Sequence, residues 1–355
     1  MGPVIIPFFI SHQGCPHRCV FCNQKRISGA AEEIPSDAEI LGAIAASRES
    51  RGGGSVEVAF YGGTFTGLPR YMQERLLKPL QPMLCSGEVV SVRVSTRPDT
   101  IDPETAYFLT GMGVGTVELG AQSMDDGVLS LAGRGHDSAD TVSACRILQE
   151  AGIKVGIQLM PGLPGDDMDK ALNSMDRVLD LRPDFIRIYP ALVISGTRLA
   201  ELYRSGEYLP LDLDGAVRVC KIMLHRASVA GVKVIRIGLQ ATAELERGAV
   251  LAGPYHPAFR QLVEADLFYD LLAKLAEAGD IDYPLTVFCS PSRVSDVIGQ
   301  RRGNLRRLES ERGVKVKEVR GDPALSSTEL AIGVEPALNR GDTVRNLEYR
   351  RGALS

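Results

Sequence analysis

Six Val- and Ile-rich segments, at 4–10, 56–63, 89–95, 116–123, 154–160 and 185–192, recur through the first part of the chain. From the second onward, each leads into residues with helical periodicity: a helix near 69–84, one from Asp102, helices running to Gly152, one from about Asp166, and one near 197–205. A long helix at 212–230 and a strand at 232–238 follow. Strands that alternate with helices in this way belong to βα units, because parallel neighbours can be joined only by a long crossover. Six or seven units fall short of the eight that close a barrel, so the expected fold is α/β, a partial and open (βα)6 barrel.

At 248–257 the sequence changes to the Gly- and Pro-containing "GAVLAGPYHP", which suits a boundary. Beyond it, a helix at 258–278, a strand at 284–289, a helical stretch at 295–313 and a strand at 314–321 predict a small α+β domain. The expected division is therefore 1–247 and 248–355. A formal charge of −4 argues against a protein that coats nucleic acid through its overall charge, while leaving room for a local basic patch. The run "VIIPFFI" is too short to span a bilayer and has no basic leader or cleavage site, so the expectation is a cytoplasmic protein without a membrane partner.

The chemistry concentrates at the ends of the strands. "GCPHRCVFC" (14–22) follows the first strand, "YGGT" (61–64) the second and "STRPD" (95–99) the third. "ELGAQS" (118–123) ends the fourth, "QLMPGLPGD" (158–166) the fifth and "RIYP" (187–190) the sixth. In a βα barrel all of these open on one face, where active sites collect. Three of the seven cysteines, Cys15, Cys19 and Cys22, stand at C-x3-C-x2-C spacing, and so tight a cluster in an odd total argues against a secreted disulfide framework. Soft thiolates select zinc or an iron–sulfur centre. Spacing alone leaves open zinc completed by His12 or His17, loosely paired structural thiols, and a cubane with one iron unligated by protein. Cys145, Cys220 and Cys289 lie on apolar stripes and read as small buried hydrophobes, and Cys85 falls in a loop.

"CPHRCVFC", with its aromatic Phe21 before the last cysteine, resembles the signature of radical S-adenosylmethionine (SAM) enzymes. "FYGGTFTGLP", "VELGAQS", "RGH", "MPGLPGD" and "RIYPALVISGT" resemble the Elongator catalytic subunit and its bacterial relatives, and more weakly oxygen-independent coproporphyrinogen III oxidase. The likeness covers about residues 5–245. It implies that Cys15, Cys19 and Cys22 hold a [4Fe–4S] cluster and that S-adenosylmethionine fills the open iron. Reductive cleavage of that cofactor would give a 5′-deoxyadenosyl radical that takes hydrogen from a substrate in the mouth.

Further roles follow from the same resemblance. Phe21 would pack near the adenine, and Tyr61, Gly62, Gly63 and Thr64 would form the turn that meets the methionine amino group. Thr64 stands where many members carry Glu. Gln122 and Gln158 would touch the ribose, or else make ordinary strand-end hydrogen bonds. Arg97 would hold the cofactor carboxylate or pair with Asp99, and Tyr189 would line the cavity as a catalytic residue or simply pack there. "PGLPGD" also reads as a turn before a helix capped by Asp166. His136 and His256 read equally as loop-shaping residues.

The Elongator subunit spaces its cysteines more widely and carries an acetyltransferase domain for which 248–355 is too short, so acetyl transfer is not implied. The expected partners are a low-potential electron donor such as ferredoxin or flavodoxin and transfer RNA, since that family modifies wobble uridine. Arg301, Arg302, Arg306 and Arg307 on one predicted helix, Lys315 and Lys317 on the next strand, and Lys25 and Arg26 beyond the cysteines could meet phosphate or an acidic donor; a solvated helix face is the plain alternative. The alternative functions are a radical enzyme acting on a small molecule or tetrapyrrole, and a non-catalytic iron–sulfur or haem-binding relative.

Overall fold

The computed structural model describes residues 3–24, 34–50, 52–240, 242, 245–277, 285–334 and 337–349, and Lys25 and Arg26 therefore lie outside the described residues. Contacts divide the chain into two compact units, 1–211 with 239–255 and 212–238 with 256–355. This differs from a single cut after residue 247. The helix Leu213–Val229 belongs to the second unit because it packs on Phe259–Glu277, where its buried Lys221 Nζ lies 2.6 Å from Asp266 and 2.7 Å from Asp270.

In the first unit six strands pair side by side in chain order, all parallel: β1 (Val4–Phe9), β2 (Val56–Tyr61), β3 (Val89–Thr96), β4 (Val114–Gln122), β5 (Lys154–Leu159) and β6 (Phe185–Ile188). This is the expected open barrel. Side chains alternate across each strand. Val56, Val58 and Phe60, Val92 and Val94, Val117 and Leu119, Val155 and Ile157, and Ile186 and Ile188 form the apolar face that the crossover helices cover. The other face carries Glu57, Arg93, Glu118, Gln158 and Arg187.

Helix starts are set by side-chain caps that satisfy orphan amides. Ser36 with Glu39 and Asp137 with Asp140 make capping boxes, and Asp102, Asp167, Thr197 and Asp212 each accept an N–H from the third residue on. Pro79 interrupts the predicted helix at 69–84, which splits into Arg70–Leu77 and Gln81–Ser86 around a short 3₁₀ turn. Pro190 stops β6 early, and Val193–Ile194 pairs instead with Val250–Ala252.

The second unit holds a mixed sheet in the order Val316–Gly321, Leu285–Cys289, Glu329–Val334, Ala337–Asp342. The antiparallel pair at 329–342 was not foreseen, although Leu330 and Ile332 alternate in its first strand. The helical stretch at 295–313 is also broken. Gly299 at φ 72°, Arg301 at φ 50° and Arg302 at φ 62° separate Val294–Ile298 from Gly303–Arg312. Only Arg306 and Arg307 of the four arginines therefore share a helix.

The turn after β5 corrects the expected cap. Asp167, one residue later than predicted, caps Met168–Asp180, while Asp166 turns back to accept the Gly162 N–H at 2.8 Å. Its other oxygen is buried without a hydrogen-bond partner, and burial, despite that bond, pushes its carboxyl up to about 6. The folded chain thus binds this proton more tightly than the unfolded chain. The stability involved is fully present below the unfolded value of about 4 and is lost as pH rises through about 6. Asp166→Asn, which keeps an acceptor for Gly162 and removes the charge, should raise urea stability by about 1–2 kcal/mol at pH 7.5, allowing for screening. The gain should vanish near pH 4, and a gain constant across that window would refute the assignment.

Candidate active site

The loop after β1 is folded directly onto the turn after β2. His12 at φ 58° and Gly14 at φ 71° bend it back, and Thr64 N donates to Gln13 O at 2.8 Å. The approach is so close that a Cβ on Gly14 would sit 2.2 Å from Thr64 O. A Cβ on Gly63 would sit 2.3 Å from Gln13 O and 2.6 Å from Ile10 O, with φ at +59° besides. Only glycine fits either position. In this chain, then, Gly63 is required by the cysteine loop's own backbone. Its N–H goes to Gln24 Oε1 at 2.8 Å, and that same oxygen accepts the His12 N–H.

This packing brings the three cysteines together, partly exposed at the mouth of the open barrel. Cys22 N donates to Cys19 O at 3.1 Å, and Cys19, Val20 and Cys22 lie against an apolar cluster of Phe21, Val128, Ala132, Leu163, Ala191, Val193 and Leu199. Phe21 is buried in that cluster and anchors the loop. Burial first, then the neighbouring Cys19 and Cys15 thiols, push the Cys22 thiol up to about 12. Burial likewise raises Cys15, with Arg97 and Arg134 acting in the opposite sense. Arg134 Nη1 donates to Cys19 Sγ at 3.1 Å, and Thr64 Oγ1 lies 3.2 Å from Cys15 Sγ.

The donor set fits a cluster held by three thiolates and offset by nearby guanidinium groups. His12 Nε2 accepts the Gln24 N–H at 3.0 Å, and the His17 ring lies against Gly135. Among the described residues, no three His, Cys, Asp or Glu groups converge on a single ion.

The other strand-end residues share the mouth. Arg97 is buried and grips Asp99 through Nε (2.9 Å) and Nη2 (2.8 Å), while its buried Nη1 has no hydrogen-bond partner among the described residues. Gln122 stands at φ 71° where a bulge interrupts the β4–β5 register, and its Oε1 accepts from Gln158 Nε2 at 2.9 Å. The two glutamines thus meet each other. Burial, then Arg134 and Arg97, holds the His136 imidazole down at about 4 and keeps it neutral at physiological pH.

Below them lies a charge network that sequence reading missed. Glu118 accepts from Arg93 Nη1 (2.8 Å), Arg187 Nη2 (2.9 Å) and Tyr61 Oη (3.3 Å), and Arg93 also reaches Glu57 at 3.0 Å. Arg187 donates through Nη1 to Tyr189 Oη at 3.0 Å and through Nη2 to Tyr61 Oη at 3.2 Å. Burial, then the Glu118 carboxylate, raises the Tyr61 phenol well above its ordinary value, so the hydroxyl keeps its proton. The available signal was a charge at the centre of four otherwise apolar strands.

The Radical SAM superfamily pattern matches residues 9–178, and the Radical_SAM C-terminal domain matches 183–268. An uncharacterised protein of Methanocaldococcus jannaschii is 30% identical over 226 residues, covering 60% of this chain and 69% of that one. The tRNA uridine(34) acetyltransferase of the same organism is 36% identical over 133 residues, 37% of this chain and 25% of that one. Elongator complex protein 3 of Saccharomyces cerevisiae is 30% identical over 183 residues, 46% of this chain and 33% of that one. Among solved structures, Methanocaldococcus infernus Elp3 lacking residues 1–46 superposes with a TM-score of 0.60 at 20% identity, over 93% of this chain and 73% of that one.

Together with the fold and the three thiols, these matches make the chain a member of the radical SAM superfamily, whose enzymes use a [4Fe–4S] cluster, S-adenosylmethionine and a reductant. It spans only about a quarter to a third of the length of the acetyltransferase and Elongator relatives named here.

Removing the Glu118 charge strands the buried Arg187 guanidinium and leaves Arg93 with Glu57 alone. Glu118→Gln should cost about 3 kcal/mol in chemical denaturation. Combining it with Arg187→Met should cost less than the sum of the two single changes. Strict additivity would mean that the network does not act as a unit.

Proposed function

We propose that this radical SAM protein modifies RNA, with the wobble uridine of transfer RNA as its target. Its 36% identity to a tRNA uridine(34) acetyltransferase carries the reading. Acetyl transfer lies outside the proposal, because the matched stretch is a quarter of that relative's length. The cluster and S-adenosylmethionine, when bound, supply the means to abstract a hydrogen atom; the chain's own residues hold, orient and enclose.

In this reading Cys15, Cys19 and Cys22 hold the cluster. The turn of Tyr61, Gly62, Gly63 and Thr64 meets the cofactor's amino group, and Phe21 backs the adenine side. Support for Arg97 as the carboxylate partner comes from its buried Nη1, since an unsatisfied guanidinium N–H seeks an anion. The Gln122–Gln158 pair suits two adjacent ribose hydroxyls. Tyr189, steadied by Arg187, faces the substrate as the catalytic residue. The reductant is a low-potential donor of the ferredoxin or flavodoxin class, and the site of action is the cytoplasm. No helix among the described residues is long and apolar enough to cross a membrane.

RNA docking is assigned to the second unit. Arg307 is spent on Asp266 and Glu311, at 2.9 Å each, which leaves Arg301, Arg302 and Arg306 with the exposed Lys315 and Lys317 to meet phosphates.

Protein reconstituted without oxygen should hold about four iron and four sulfide per chain and cleave S-adenosylmethionine under strong reduction. Cys→Ala at 15, 19 or 22 should abolish both. Gln122→Ala and Gln158→Ala should keep the iron and weaken cofactor binding by about 1–2 kcal/mol each. Zinc in place of iron, or undiminished affinity in both glutamine variants, would overturn these assignments.

Total transfer RNA should bind with an affinity that falls steeply with salt, and Arg302→Ala/Arg306→Ala should lessen that slope by about two units. An unchanged slope would remove the patch as the docking site. Absence of binding at low salt would direct the search to a small-molecule substrate.

A further inference from the structure

Two of the three clustered cysteines carry a side-chain hydrogen bond delivered from elsewhere in the fold. Thr64, fully buried in the turn after β2, places Oγ1 3.2 Å from Cys15 Sγ. Its backbone is held on both sides, with N–H to Gln13 O at 2.8 Å and its carbonyl accepting from Gly67 N at 3.0 Å. The side chain is fully buried, which keeps its hydroxyl from bulk water. Either atom of this pair could donate while Cys15 is a thiol. Once the sulfur is a thiolate, as metal ligation requires, only the hydroxyl has a proton to give.

Arg134 comes from the loop after helix Asp126–Leu131. Its Nη2 is fixed to Gly120 O at 2.6 Å, which aims Nη1 at Cys19 Sγ, 3.1 Å away. The third thiol, Cys22, meets a carboxamide of its own loop, Gln24, whose Oε1 is already held by Gly63 N–H.

We propose that Thr64 and Arg134 are positioning residues that set the reduction potential of the centre held by Cys15 and Cys19, the first through a neutral O–H···S bond and the second through a charge-assisted N–H···S bond. This rests on the reading that these thiols hold an iron–sulfur cluster. Reduction adds negative charge to such a centre, and a donor on its sulfurs stabilises the more electron-rich form more strongly. Loss of either donor should therefore lower the potential. Arg134 should matter more, because a bond from an ionised donor is about twice as strong as a neutral one. The residue at position 64 would then govern how strong a reductant the protein needs, in addition to shaping the cofactor turn.

The test is an EPR-monitored redox titration of the anaerobically reconstituted full chain, with iron and sulfide analysis, for wild type, T64V, T64S and R134Q. T64V preserves shape and removes the hydroxyl; T64S preserves the hydroxyl. The expected result is a midpoint potential lowered in T64V, lowered further in R134Q, and close to wild type in T64S. Potentials equal to wild type in T64V and R134Q overturn the inference while leaving the cluster reading intact. A wild-type protein that takes up no iron–sulfur cluster overturns the cluster reading, and this inference with it. If one variant fails to fold or to load, the other decides by the same comparison.

Discussion

The site depends on one backbone contact: the loop after β1 lies on the turn after β2 with no room for a side chain between them. Gly14 against Thr64 O, and Gly63 against Ile10 O and Gln13 O, leave distances that no Cβ could share. The Thr64 N–H to Gln13 O bond then locks the two segments. From this follow the placement of Cys15 beside Thr64, the seating of Phe21 in its apolar cluster, and the meeting of Gln24 with both the glycine turn and Cys22. A loop with this many internal ties is held in one geometry, and in the proposed reading that limits the ordering entropy left to pay when a cofactor arrives.

Beneath the mouth, the barrel interior is filled with charge where a closed barrel would carry branched apolar side chains. Glu57 and Glu118 balance Arg93 and Arg187, so the network is formally neutral, and its hydrogen bonds tie β2, β3, β4 and β6 to one another. Buried ion pairs contribute little net stability compared with apolar packing, but breaking one is costly. What the network achieves here is geometry. It holds Tyr61 and Tyr189 through Arg187, and keeps the Tyr61 hydroxyl protonated. An open barrel has no eighth strand to complete its core, and a polar floor lets the interior meet solvent and ligand without exposing an apolar surface.

The second unit shows how charge counted along a sequence differs from charge available for binding. Arg307 is engaged by two carboxylates, and Arg301 and Arg302 precede their helix in left-handed conformations instead of riding on it. The basic surface that remains is smaller than four arginines on one helix would give.

The sequence by itself determined the class of fold and the class of chemistry. Val- and Ile-rich strands followed by helical periods read as βα units, and three thiols at C-x3-C-x2-C spacing read as a ligand set, because both signals are local in the chain. Tertiary structure decided everything that depends on residues distant in the chain. The pairing of Gln122 with Gln158, the Arg134 bond to Cys19, the Thr64 bond to Cys15 and the four-residue charge network join positions 25 to 115 residues apart. No spacing rule reports such contacts. Helix starts were legible to within a residue or two, and the departures elsewhere were physical: Asp166 closes its own turn, Pro79 and Pro190 interrupt elements, and two arginines adopt positive φ. The contact units differ from a single cut after residue 247 for the same reason, since Lys221 finds Asp266 and Asp270 only once the chain has folded back upon itself.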